Sequence, residues 1–144
     1  MKKILLAGLI AGTLDATAAV LIYAKPVNRH NAAGIFRYVA SGVFGQHTHS
    51  AGPLYPVLGL ILHYCIAMIW SAVYMLLFSR FFKSGNVWAK ALLYGSTVWV
   101  LMNAFVVPLS GITAHSDSWG MMRSFTIILF CVGLPITLIA ERRI

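Results

Sequence analysis

Acidic side chains are nearly missing from this chain, with three in 144 residues beside eleven Lys and Arg. Charged residues of both signs make up 10%, against about 25% in an ordinary soluble domain. A soluble fold of this size needs a charged exterior, and too few charges are present to supply one. Cysteine is also scarce. Cys65 and Cys131 both sit inside apolar runs, which excludes a disulfide framework and any CxxC redox motif; they read as buried, inert thiols. No GxSxG, HExxH, Walker or dinucleotide-binding pattern occurs, so no enzyme class is signalled. A bis-His haem needs paired axial ligands on facing helices. Only His63 lies within an apolar run, so no cofactor is expected.

What the chain does have is apolar sequence. Hydrophobic residues make up 60% and the mean hydropathy is +0.83. About 20 apolar residues in a helix cross a hydrocarbon core of about 30 Å. Runs of that length occur at 4–24, 54–78, 88–108 and 122–140. They predict an all-α polytopic membrane protein with four transmembrane helices in one domain. In the first run Ala16-Thr17-Ala18 resembles a signal-peptide cleavage site, but Asp15 precedes it and Val20-Leu21-Ile22 continues the run, so a retained span is expected. In the last run Pro135 is expected to free the carbonyl of Cys131 and kink the helix.

The net charge is +8. Basic residues flank the apolar runs rather than forming a stripe, so the expected partner is a lipid bilayer and not a nucleic acid. Placing Lys2, Lys3, Arg80, Lys83, Lys90, Arg142 and Arg143 on one side leaves Lys25, Arg29, Arg37 and Arg123 on the other. That imbalance predicts both termini in the cytoplasm. Tyr23, Tyr55, Trp88 and Trp119 fall near span ends, as interfacial aromatics do.

The longest connection covers residues 25–53. Its apolar piece, 33–45, is too short to span, and such pieces are interfacial, re-entrant or buried. Asn31 is placed to cap a short helix there, and Gly42 and Gly45 to end it.

Asp15 is the sharpest chemical feature. A charged side chain at a helix centre costs about 2.5–3.5 kcal/mol on insertion scales, so it is expected to face protein rather than lipid. On a helical wheel Gly8, Gly12, Asp15 and Ala19 form one stripe, and Gly8-x-x-x-Gly12 is a small-residue packing face. On the second span Gly59, His63, Trp70 and Tyr74 share a stripe. If the two glycine faces meet, Asp15 and His63 come together as a coupled pair of the kind used in proton relays. The plainer alternative makes each a folding device, since imidazole is easily satisfied in a packed interface. Asn103, in a stripe with Ser96 and Trp99, is expected to join helices. Asp117 is placed to cap the fourth span and to pair with Arg123. The remaining histidines, His30, His47, His49 and His115, lie in loops. His47-x-His49 with His115 is not a specific metal signature, and no metal site is predicted.

Gly8-x-x-x-Gly12-x-x-Asp15, the segment Ile35 to Gly45 (IFRYVASGVFG) and Gly59-x-x-x-His63 together resemble the YagU-like family of small bacterial inner-membrane proteins. The resemblance covers roughly residues 7–78. It implies inner-membrane residence and a multi-span helical body, and it supplies no catalytic residues.

Three functional expectations follow. The first is a non-enzymatic helical accessory or self-associating bundle, with a second copy or another membrane protein as partner. The second is a proton- or ion-conducting protein using Asp15 and His63. The third is a membrane-embedded enzyme acting on lipid or quinone, with His47, His49, His115 and Asp117 as the best available cluster.

Overall fold

The computed structural model describes residues 1–23, 31–49, 52–82, 85–110 and 118–141. The protein is all-α. Four helices are long and apolar enough to cross a membrane: α1 (Lys2–Tyr23), α3 (Leu54–Phe81), α4 (Val87–Leu109) and α5 (Ser118–Glu141). The shorter α2 (Ala32–Phe44) lies between the first two.

The helices are inside-out relative to those of a soluble protein. In α1 the buried residues are Ala7, Gly8, Ala11, Gly12 and Ala16, whereas Leu5, Leu6, Leu9, Ile10 and Leu14 are exposed. Small side chains on one stripe let backbones approach closely, which is how helices associate where no water drives apolar groups together. At most 22% of the apolar window of any long helix is buried. So large an exposed apolar surface is what a hydrocarbon solvent covers.

Packing follows the glycines. A Cβ on Gly8 would meet Met68 at 2.9 Å, and one on Gly12 would meet the ring of Tyr64 at 2.8 Å. These pairs run in opposite sequence directions, so α1 and α3 are antiparallel. Gly95 on α4 and Gly133 on α5 face each other, and a Cβ on Gly133 would stand 2.8 Å from the Cα of Gly95. At one end of the bundle Ala7, Tyr74, Tyr94, Val98, Ile136 and Ile139 form the core. Tyr74 and Tyr94 meet there edge to face at 4.8 Å.

Three of the long helices contain a π-helical turn, at Tyr74–Phe78, Met102–Val106 and Ile128–Gly133. Two of these precede a proline. Pro108 stands in the last turn of α4, which passes through a π turn and ends at Leu109. The disturbance expected at Pro135 takes the same form, a widened turn over Ile128–Gly133, which accommodates the missing donor.

Asn31 caps α2, its side chain accepting the Gly34 amide at 2.8 Å. The helix ends at Gly45, whose φ of 88° suits glycine. Gly42 does not end it and lies inside the helix. At 13 residues, α2 is about 20 Å long, too short for the core of a bilayer. It packs along the first half of α3, where Gly59 lies against the backbone of Phe36. A 3-10 turn, Gln46–His49, follows, and Thr48, fully buried, donates to the Arg37 carbonyl at 3.4 Å.

Candidate functional site

Asp15 and His63 meet across the α1–α3 contact. His63 Nε2 lies 3.8 Å from Asp15 Oδ2 and 3.0 Å from the carbonyl oxygen of Gly12. A carbonyl only accepts, so Nε2 carries a hydrogen and donates it to Gly12. Among the described residues, no group completes a hydrogen bond to the Asp15 carboxylate. At the next residue, Thr13 donates to the Leu9 carbonyl at 2.7 Å and takes a hydrogen bond from the Tyr64 hydroxyl at 3.0 Å. Two consecutive side chains of α3 are thereby fastened to two consecutive residues of α1.

The route to this geometry differs from the one expected. The glycine faces of the two helices do not meet. Gly8 and Gly12 receive Met68 and Tyr64, whereas Gly59 receives α2. His63 still reaches α1 because it adjoins Tyr64, one turn beyond Gly59, and Phe36 meets its ring edge-on at 6.3 Å.

The pair stands on the wall of a cavity of about 240 Å³ to which all five helices contribute. Ile66, Trp70, Val98, Met102, Ile128 and Val132 make much of the lining, and Tyr38 and Gly42 close it from α2. Asp15 is its one acid, and no Lys or Arg lines it. Tyr38 lies outside the four spans, and burial pushes its phenol above the ordinary value, so it is a neutral hydroxyl at physiological pH.

Asn103 does not belong to this site. It does not line the cavity, and its side-chain amide donates to the Trp99 carbonyl of its own helix at 2.9 Å. The joining role expected of Asn103 falls to Trp99, whose indole donates to Ser124 of α5 at 3.0 Å. Cys65 is exposed rather than buried; Cys131 is partly buried.

Sequence reasoning missed a second polar cluster at the core end of the bundle. Lys90, with only 6% of its surface exposed, places Nζ 3.1 Å from Glu141 Oε2. Tyr74 donates to the other carboxylate oxygen at 3.2 Å, and Tyr94 donates to the Trp70 carbonyl. The signal was present. Lys90 stands four residues into an apolar helix, and Glu141 closes another, but Lys90 counts in sequence as a flanking charge and nothing there pairs it with Glu141.

Among the described residues no three His, Cys, Asp or Glu side chains gather where a metal could sit. His47 instead places its ring edge against Tyr55 at 5.9 Å. His30, His115 and Asp117 lie outside the described residues, and with them the expected Asp117–Arg123 pair; Arg123 Nε donates to the Trp119 carbonyl at 3.4 Å. No family model, curated protein or solved structure matches this chain.

Proposed function

We propose that this chain is a non-enzymatic membrane protein that moves protons, or an ion coupled to them, through the Asp15–His63 pair. The observation that carries the reading is the meeting of an acid and an imidazole from two helices at the wall of a cavity in the bundle. An acid in a membrane span is costly unless it is used or paired. Here the imidazole hydrogen is committed to Gly12, and the carboxylate faces the cavity. The cavity is large enough to admit water beside the carboxylate, and the reading requires that water reach the pair by this route. The lone pair left on the imidazole can accept a proton, making Asp15 and His63 one exchanging unit.

Residence in a bacterial inner membrane with both termini cytoplasmic belongs to the same proposal. It is supported by the excess of Lys and Arg on that side and by the resemblance to YagU-like proteins. The reading as a self-associating bundle loses its main support, because the Gly8–Gly12 face is filled by Met68 and Tyr64 of the same chain. A second copy would have to use another face.

The test is proton flux into liposomes containing the purified chain, followed with an enclosed pH-sensitive dye after a pH step. Wild type is expected to conduct, and Asp15→Asn to conduct no more than empty liposomes while keeping its helical circular dichroism. Unchanged flux in Asp15→Asn would remove the proposal. Absence of flux from both proteins would leave the accessory role standing in its place.

A further inference from the structure

We infer that the cavity is a binding site for a lipophilic cation, a tertiary or quaternary amine with an apolar body, whose charge is met by Asp15. This rests on the proposed proton exchange at the same pair and names the ligand that competes with the proton.

The argument begins with the charge inventory. The cavity holds one carboxylate and no Lys or Arg. An anionic occupant would face Asp15 without a counter-charge. A neutral apolar occupant would take water from the carboxylate and give nothing back, and a buried charge with no partner is strongly disfavoured. A cation removes that difficulty.

His63 does not. Its hydrogen goes to Gly12 at 3.0 Å, while Asp15 Oδ2 stands 3.8 Å away. The remaining walls suit the apolar part of such a molecule, with Ile66, Val98, Met102 and Val132 from three helices. Trp70 and Tyr38 bring aromatic rings to the same cavity, and aromatic faces attract quaternary ammonium groups.

Competition with protons follows from counting charge. With one proton shared between Asp15 and His63, the pair is neutral and offers a cation nothing. Without that proton it carries one negative charge. A cation therefore enters as the proton leaves, and no covalent bond changes except that to the departing proton. The other titratable groups around Asp15 are few. Tyr64 shares α3 with His63, Tyr38 faces in from α2, and Cys131 of α5 and Tyr23 of α1 lie within electrostatic reach of Asp15. The lining contributed by α4 contains no titratable side chain.

The probe is benzyltrimethylammonium, which is permanently charged and carries no exchangeable proton of its own. Its uncharged carbon isostere, neopentylbenzene, is the control. Calorimetric titration of the full chain in detergent, in two buffers of different protonation enthalpy, reads affinity and proton release together.

The cation is expected to bind at least about tenfold more tightly than the isostere, and about tenfold more tightly at mildly alkaline than at mildly acidic pH. Asp15→Asn should weaken it by about tenfold or more. Val107→Phe, which narrows the cavity without touching the acid, should also weaken it, so the inference does not depend on one variant folding. Equal binding of the isostere, or undiminished binding to a folded Asp15→Asn protein, would overturn the cation site. Asp15-dependent binding without proton release would keep the cation site and overturn proton exchange. Asp15-dependent flux with no cation binding would do the reverse.

Discussion

His63 is fastened to the carbonyl oxygen of Gly12, not to Asp15. The imidazole spans the helix contact at 3.0 Å, and the carboxylate lies beyond hydrogen-bonding range at 3.8 Å. Stability and chemistry are therefore divided between two neighbouring side chains.

The division has a measurable consequence. His63→Leu removes an interhelical hydrogen bond, worth about 0.6 kcal/mol on average in membranes and up to about 1.7. Asp15→Asn removes no hydrogen bond within the described residues and should cost less stability than His63→Leu. Denaturation of the two variants in mixed micelles would compare them. A larger loss for Asp15→Asn would mean that the carboxylate is a folding element.

Gly59 of α3 should be less replaceable than Gly12 of α1. A Cβ there would collide with the Phe36 carbonyl, a backbone group held within α2. At Gly12 the added atom would meet the Tyr64 ring at 2.8 Å, and a ring can rotate aside. Overpacking typically costs about 1–3 kcal/mol. Gly59→Ala is expected at or above the top of that range, with α2 displaced from α3, and Gly12→Ala near the bottom. Thermal midpoints give the order, and proteolysis within residues 31–49 reports the displacement. Equal midpoints would show that α2 does not hold its place through this contact.

The ion pair at the other end should respond asymmetrically. Lys90 is 6% exposed, whereas the Glu141 side chain is 29% exposed and keeps its bond from Tyr74. Glu141→Gln strands a buried ammonium, and removing one partner of a buried pair costs about 3–5 kcal/mol. Lys90→Met leaves a carboxylate that water and Tyr74 can still serve, and should cost about 1 kcal/mol. The double variant should recover much of the loss seen in Glu141→Gln. Equal costs for the two single replacements would mean that Lys90 reaches water by another path.

The architecture was readable because it depends on apolar run length and little else. Runs of about 20 apolar residues become helices whatever their neighbours, since every backbone polar group must be satisfied within the span. The approach of Asp15 to His63 was only half readable: Gly8 and Gly12 mark the face of α1 on which α3 packs, but the expected meeting of that face with Gly59 does not occur. Partner choice was not. Gly59 and Gly12 look alike in sequence, yet one receives α2 and the other α3. The π turns also went unseen, because no composition signal distinguishes a widened turn from an ordinary one. Pro108 stands at the end of α4 and Pro135 inside α5, and a widened turn precedes each. Lys90 and Glu141 were separated by 51 positions, and flanking charges carry no mark of pairing.

The α4–α5 contact offers the clearest test of that last point. Asn103 is the residue that sequence singles out for joining helices, but its amide bonds to Trp99 of its own helix at 2.9 Å. The join is made by the Trp99 indole, which donates to Ser124 at 3.0 Å and meets Phe125 edge-on at 5.5 Å. Asn103→Leu should therefore cost under about 0.5 kcal/mol, since the amide serves only its own helix. Trp99→Phe loses the interhelical hydrogen bond and part of the ring contact, and should cost about 1–2 kcal/mol. Ser124→Ala should reproduce the polar part of that loss and add nothing in the Trp99→Phe background, because both remove the same bond. Additive losses in that double-mutant cycle, or a larger loss at Asn103, would show that the two helices are held together elsewhere.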